Sequence, residues 1–285
     1  LVLFSKIILK SQVLLFDASK IYQITQNHQI NLKQKNNFIK QMPIPEKYKL
    51  TERSYQAELM DNLSLKGDDL RQNLDELAFI NYWLGGNLVI TKALQKLKKR
   101  GVLTSNKVIR IADLGSGGGD NLQVMAKWFR RQGIAAKLTG IDANDFMIEY
   151  AQKKTDSYEE INYQKRDVFS DDFKASEFDI VTMSLFCHHF TDTQLVRLFQ
   201  KLYQETNKVV IINDLHRHPL AYQSIKFLTK ALNGSHLVQN DAPLSVQRAF
   251  HYNDFANLLC LAGVSDFQIE WIWAFRFQVM FGKEI

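Results

Sequence analysis

The chain has 285 residues, 46% of them hydrophobic, and a net charge of +6, enough for one domain with a real core plus an extension. Six lysines and a single acid, Asp17, fall in residues 1–41, so most of the excess charge sits there and the remainder is near neutral, which argues against a nucleic-acid-binding face. Two cysteines, Cys187 and Cys260, exclude a disulfide framework and a Cys-x-x-Cys metal pair, and with no apolar run of membrane-spanning length a reducing, cytoplasmic setting is expected.

The start, "LVLFSKIILKSQVLLF", has an apolar run like a signal peptide, but Lys6 and Lys10 interrupt it and no small-residue cleavage site follows. Residues 1–41 hold neither Gly nor Pro, and Met42 opens "MPIPEKYKL". We therefore expect residues 1–41 to be translated upstream sequence, or else an N-terminal arm. Residues 42–100 are read as a helical lid and 101–285 as the catalytic domain. In the lid, "TERSYQAELMDN" and "LDELAFINYWLGGNLVITKALQKLKKR" show apolar residues at i, i+3 and i+4, so both predict helices. Gly85 and Gly86 bend or split the second, and Gly101 caps it behind Lys98 to Arg100.

From residue 107 strands and helices alternate. "KVIRIADLG" predicts a strand, "DNLQVMAKWFRRQG" a helix ending at Gly133, "AKLTGIDA" a strand and "NDFMIEYAQKKT" a helix capped by Asn144. Then follow strands in "INYQKRDVF" and "FDIVTMSLF", a helix opened by Thr191, a strand in "KVVIINDL" and a helix with Pro219 in its first turn. "YNDFANLLCLAGV" is a shorter helix, and "FQIEWIWAFRFQVMF" has room for two strands. This alternation predicts a doubly wound α/β sheet of about seven strands, mostly parallel with an antiparallel strand at the C-terminal end, covered by helices.

The turn "IADLGSGGGDN" follows the first strand and opens a helix, the setting of a nucleotide site. It lacks the Gly-Lys-Ser/Thr ending of a phosphate-binding loop. Asp120 stands where the sixth residue of a dinucleotide fingerprint should be Gly, and a carboxylate there repels a pyrophosphate. The pattern Asp113-x-Gly115-x-Gly117-x-Gly119 instead suits a ligand with an ammonium group and no phosphate.

On these residues the chain resembles the class I S-adenosylmethionine-dependent methyltransferases over roughly residues 107–282, in the small-molecule, UbiE-like branch. The resemblance implies S-adenosylmethionine as cofactor. It places Asp113, Gly115, Ser116, Gly117 and Gly119 around the methionine portion, with Asp113 either holding the turn or facing the ammonium. Asp142 and Ala143 would meet the ribose hydroxyls, Asp167 and Val168 the adenine, and Leu185 the end of the fourth strand. Two vicinal hydroxyls suit one carboxylate acceptor.

After the fourth strand, "SLFCHHFTD" brings His188 and His189 to where the transferred methyl is expected. Either is a candidate general base, His188 favoured slightly as nearer the strand end, and either could equally serve only packing. Arg217, Tyr222 and Arg248 are candidate substrate contacts. His251 reads as an ordinary surface residue, and Arg53, Tyr55, Tyr82 and Trp83 as lid residues. Adjacent histidines lack the i, i+4 spacing of a helical metal pair, so no metal is expected. The expected activity is methyl transfer to a small apolar or phenolic metabolite, oxygen favoured as acceptor, with neither nucleic acid nor membrane as partner and the oligomeric state open. The alternatives are an RNA or protein methyltransferase and a non-catalytic S-adenosylmethionine-binding protein. The Asn/Asp-Pro-Pro-Tyr/Phe of N-methylating enzymes is replaced here by Ser184-Leu185-Phe186-Cys187. Deleting residues 1–41 is expected to leave the melting temperature and cofactor affinity nearly unchanged; a large fall in melting temperature would show that the segment packs into the fold.

Overall fold

A polar, half-extended strap comes first, and it corrects a sequence expectation. The computed structural model describes residues 50–285, so the expectations about Met42 and residues 1–41 lie outside the described residues. "TERSYQAELMDN" forms no α-helix: only Leu59–Asp61 makes a single 3-10 turn. Its polar side chains override the helical periodicity by finding partners far away in sequence. Asp241 accepts from the amides of Leu59 and Met60, and Ser245 donates to Glu58.

Two helices follow, α1 (Asp68–Trp83) and α2 (Asn87–Lys99). The glycine pair divides them as expected, and Gly101 ends α2 at φ +77°. Then come β1 (Ile109–Leu114), α3 (Asp120–Gln132), β2 (Ala136–Asp142), α4 (Asp145–Lys154), β3 (Ile161–Lys165), β4 (Ile180–Ser184) and α5 (Asp192–Glu205). The chain finishes with β5 (Val209–Leu215), α6 (Pro219–Ala231), α7 (His236–Arg248), α8 (Tyr252–Leu261), β6 (Phe267–Ile272) and β7 (Arg276–Gly282). Asn144 caps α4 by accepting from the Phe146 amide, and Thr191 forms a capping box with Gln194 on α5. Helix α7 escaped the sequence reading because Pro243 lies inside it, where proline ordinarily breaks a helix.

The seven strands form one sheet in the order β3-β2-β1-β4-β5-β7-β6. All neighbours are parallel except β7, which runs antiparallel to both β5 and β6. Alternate residues serve the two faces. Ile111, Ile180, Ile211 and Met280 pack against Ile90, Leu94 and Leu97 of α2 and Leu122, Met125 and Phe129 of α3. Val181, Met183, Val210, Ile212 and Val279 pack against Leu195, Phe199 and Leu202 of α5 and Phe255 and Leu259 of α8. The region expected as one helical lid therefore divides: α2 belongs to the core of the sheet, while the strap and α1 lie against α7.

The order reverses at β1, which pairs with β2 on one side and β4 on the other. Ligands of open α/β sheets bind at the C-terminal strand ends beside such a point. There Gly115 sits at φ +67°, and a Cβ on it would run into the Phe186 ring. Gly115→Ala should therefore combine left-handed strain with overpacking and destabilise the protein by about 1–3 kcal/mol more than Gly101→Ala, since Gly101 has a positive φ but only open space where a methyl would stand. Urea unfolding of both variants checks this, and equal losses would show that Phe186 simply moves aside.

Candidate functional site

The glycine turn is tied to the neighbouring strand ends. Asp113 is 2% exposed, and one of its oxygens accepts from the Thr182 hydroxyl at 2.6 Å. It links β1 to β4, which supports the turn-holding alternative over a ligand contact. Burial raises its carboxyl to about 7 against the lowering effect of Thr182. Ser116 is buried, its hydroxyl lacks a hydrogen-bond partner, and its amide donates to Ile141. Gly117 has φ +49° and open space where a Cβ would stand. Gly119, at φ +76°, packs against the Tyr163 hydroxyl.

Asp142 ends β2 facing this turn. Its Oδ2 accepts from the Gly117 amide at 3.1 Å and its Oδ1 from the Asn144 amide at 3.0 Å. Burial raises its pKa, and those amides oppose the rise. A carboxylate has about four acceptor positions, so both oxygens retain capacity toward the crevice. Ala143 follows, half-buried. Asp167 is exposed just past β3 and accepts from the Phe169 amide, while the Val168 side chain is buried in the core. Leu185, at φ +54°, turns the chain out of β4.

The chain then makes a 3-10 turn over Cys187–His189. His188 is 3% exposed; its Nδ1 meets Asp214 Oδ1 at 2.7 Å, and its Nε2 lies 3.7 Å from Glu58 Oε1. His189 stacks on it with ring centroids 4.3 Å apart. Its Nδ1 meets Asp61 Oδ1 at 2.6 Å, and a quarter of its side chain is exposed. His189 is therefore the more accessible of the two imidazoles and His188 the more deeply buried. Cys187 is buried, which pushes its thiol well above the usual range.

Two guanidiniums hold this turn. Arg248 Nε and Nη2 donate to the carbonyls of His188 and His189 at 3.0 and 2.7 Å, and its Nη1 pairs with Asp61. Arg53 donates to the carbonyls of His188 and Phe190 at 3.1 and 2.8 Å, and also to Asp192 and the carbonyl of Arg248. For Asp61, burial acts upward, but the hydrogen bonds from His189 and Arg248 outweigh it and hold the carboxyl well below the usual range. For Asp214, burial is likewise outweighed by His188, and the pKa is lowered. Glu58 goes the other way: burial lifts it to about 7 despite His189 and Arg248.

Arg248 thus reaches the site as a holder of the turn. Arg217 does not reach it: the side chain is 2% exposed, donates to the carbonyls of Ala249, Leu50 and Thr51, and pairs with Asp254 at 3.0 Å. Tyr222 is half-buried on α6 beside Lys226. Tyr55, Tyr82 and Trp83 are exposed. His251 is half-buried rather than a surface residue, and burial lowers its pKa. Burial likewise lowers His216 to about 3 and His218 to about 4, so this second histidine cluster is neutral at neutral pH. Glu58 and Asp61 were missed from sequence. Their signal was two acids placed among apolar residues in a stretch read as a helix.

Residues 111–208 match the family model of a methyltransferase domain. No curated protein sequence matches the chain. Among solved structures, the plantazolicin methyltransferase BpumL in complex with SAH is similar at a TM-score of 0.52 and 16% identity, covering 76% of this chain and 89% of that one. An S-adenosylmethionine-dependent methyltransferase from Aquifex aeolicus is similar at 0.51 and 14%, covering 76% and 98%. The CMeT domain of the citrinin polyketide synthase is similar at 0.51 and 14%, covering 67% of this chain and spanning half of that structure. Asp142→Ala should weaken S-adenosylmethionine binding by about 2–3 kcal/mol, because a charged acceptor for two hydroxyls is lost. Calorimetry on the folded variant checks it, and unchanged affinity would place the ribose elsewhere.

Proposed function

We propose that this chain, whose residues 111–208 match a methyltransferase domain, uses S-adenosylmethionine to methylate an oxygen of a small apolar or phenolic metabolite, as in the UbiE-like branch. The cofactor fits the residues present. Gly117 leaves a bare, open backbone, Asp142 keeps acceptor capacity beside it, and Asp167 is exposed at the next strand end. S-adenosylmethionine, when bound, supplies a methyl group on a positively charged sulfur, already a good electrophile.

The observation that carries the reading is the imidazole pair at the crevice end of β4, with Nδ1 of each ring on a carboxylate. A carboxylate accepting at Nδ1 keeps the hydrogen there and leaves Nε2 as a proton acceptor. His189 is the ring with access to the crevice, and Asp61 orients it and stabilises the imidazolium formed when it takes a hydroxyl proton. His188 and Asp214 pack behind it. The near-neutral charge of residues 42–285 offers no attraction for RNA. Placement and exclusion of water supply the rest of the acceleration.

His189→Ala is expected to lower turnover by roughly 10²–10⁴ while leaving cofactor affinity unchanged. The measurement is methyl transfer from labelled S-adenosylmethionine to a panel of phenols and hydroxylated metabolites, with products identified by mass spectrometry. Near wild-type rates in the variant would remove the base. Label appearing only in RNA or protein would overturn the small-molecule reading.

A further inference from the structure

Glu58 is 5% exposed, and its two oxygens are used differently. Oε2 accepts from the Ser245 hydroxyl at 2.9 Å, whereas Oε1 has no hydrogen-bond partner. That bare oxygen points into the imidazole pair: one carboxylate oxygen of Glu58 and one nitrogen each of His188 and His189 lie within 4.8 Å of one another. We propose that Glu58 Oε1, His188 Nε2 and His189 Nε2 bind a divalent first-row transition-metal ion.

Three observations support this site beyond the proximity of its donors. First, two imidazoles and one carboxylate are the donor set of open zinc and non-haem iron sites. Secondly, each imidazole has its Nδ1 on a carboxylate, Asp214 at 2.7 Å and Asp61 at 2.6 Å. Metal-ligating histidines are ordinarily oriented in this way, because the outer carboxylate fixes the tautomer and makes the ligating nitrogen more basic. Thirdly, Glu58 is buried and its Oε1 lacks a hydrogen bond, so a cation there would satisfy an acceptor that the protein itself leaves open. Arg248 Nη1 is 3.6 Å from Glu58 Oε1, but its charge is already paired with Asp61.

An ion about 2.1 Å from each donor needs them within about 4.2 Å of one another. Glu58 Oε1 and His188 Nε2, 3.7 Å apart, already meet this, and the His189 donor lies within 4.8 Å of both. Protein donors would fill three positions and leave the others on the side of His189, the more exposed ring. The ion would tie the strap, which supplies Glu58, to the turn after β4. Only its chemical role rests on the methyl-transfer reading: a cation there would hold an acceptor oxygen by charge. It competes with the proton for the same imidazole nitrogens, so the two modes exclude each other. The expectation of no metal considered only the spacing of the histidines and could not include a carboxylate from the strap.

The test uses tag-free full chain, stripped with chelator and titrated with Co²⁺ by visible absorption and with Zn²⁺ by calorimetry at mildly alkaline pH. The expected result is one ion per chain. Affinity should fall ~100-fold or more in Glu58→Gln and in His189→Ala, and 10–100-fold in Asp61→Asn, the loss typical of an outer-shell partner. His236→Ala, an exposed histidine on α7, should bind like wild type. Circular dichroism and S-adenosylmethionine binding report whether each variant is folded, and His189→Ala carries the test should Glu58→Gln unfold. No ion on the wild type, or equal affinity in Glu58→Gln and His189→Ala to that of the wild type, would overturn the site. Neither result touches the methyl-transfer reading, which fails only on cofactor binding and product analysis.

Discussion

The carbonyl oxygens of the turn after β4 must be satisfied, and the geometry of the site follows from how this is done. The strand ends at Ser184, Leu185 reverses the chain at φ +54°, and the carbonyls of His188, His189 and Phe190 then face no neighbouring strand. Buried carbonyls without partners are costly. Arg53 and Arg248 supply the donors, sharing the carbonyl of His188; Arg53 also takes those of Cys187 and Phe190, and Arg248 that of His189. A guanidinium holds its N–H groups in a rigid fork, so the pair fixes the direction of the turn as well as its hydrogen bonds; a lysine could do only the second. Arg53 also donates to the carbonyl of Arg248. The strap, the end of α7 and the β4 turn thereby become one unit, and the imidazoles inherit their positions from it.

Those cations also explain how two buried carboxylates and a half-buried one stand together. Asp61 lies between Arg248 and His189 and is held ionised. Asp214 has His188 and two backbone amides, those of His188 and Leu215. Glu58 receives a single hydroxyl, on its other oxygen, so burial dominates and lifts it to about 7. Desolvation disfavours charge on each of these acids; the number of donors on each decides which one gives way. A group left in that balance responds most to whatever next enters the site, whether proton, cation or hydroxyl.

How much of this could be read from sequence differs between the two halves of the crevice. The residues expected on the cofactor side are local, a glycine turn after one strand, Asp142 ending the next and Asp167 just past a third, and the β-α alternation brings these strand ends side by side. The acceptor side was only half legible. His188 and His189 stand next to a strand end, and Arg248 is expected as a substrate contact but instead holds the turn from the end of a helix hidden by Pro243. Glu58 and Asp61 come from a strap whose periodicity reads as a helix, and nothing local announces them, because their positions depend on partners more than a hundred residues away. Arg217 was misjudged for the converse reason. An arginine at a strand end looks functional, whereas this one closes the backbone of Leu50, Thr51 and Ala249.

The same dependence on distant partners accounts for "INYWLGG", the joint between α1 and α2. Arg276 opens β7 and is 2% exposed. Its Nη2 donates to Asn81 Oδ1 at 2.8 Å, and a Cβ on Gly86 would stand 2.9 Å from that nitrogen. Gly86 therefore lacks a side chain because a guanidinium fills the space. Its amide donates to the Asn81 carbonyl and its own carbonyl accepts from Asn213, which closes the joint onto β5. Burial lowers Arg276 to about 10, and the negative charge of Asp214 opposes that fall. Asp214 alternates with Val210 and Ile212 toward the α5 and α8 face, while Asn213 alternates with Ile211 toward the α2 face. The end of β5 thus serves both faces of the sheet: Asp214 orients His188 on one, and Asn213 holds the helix joint on the other.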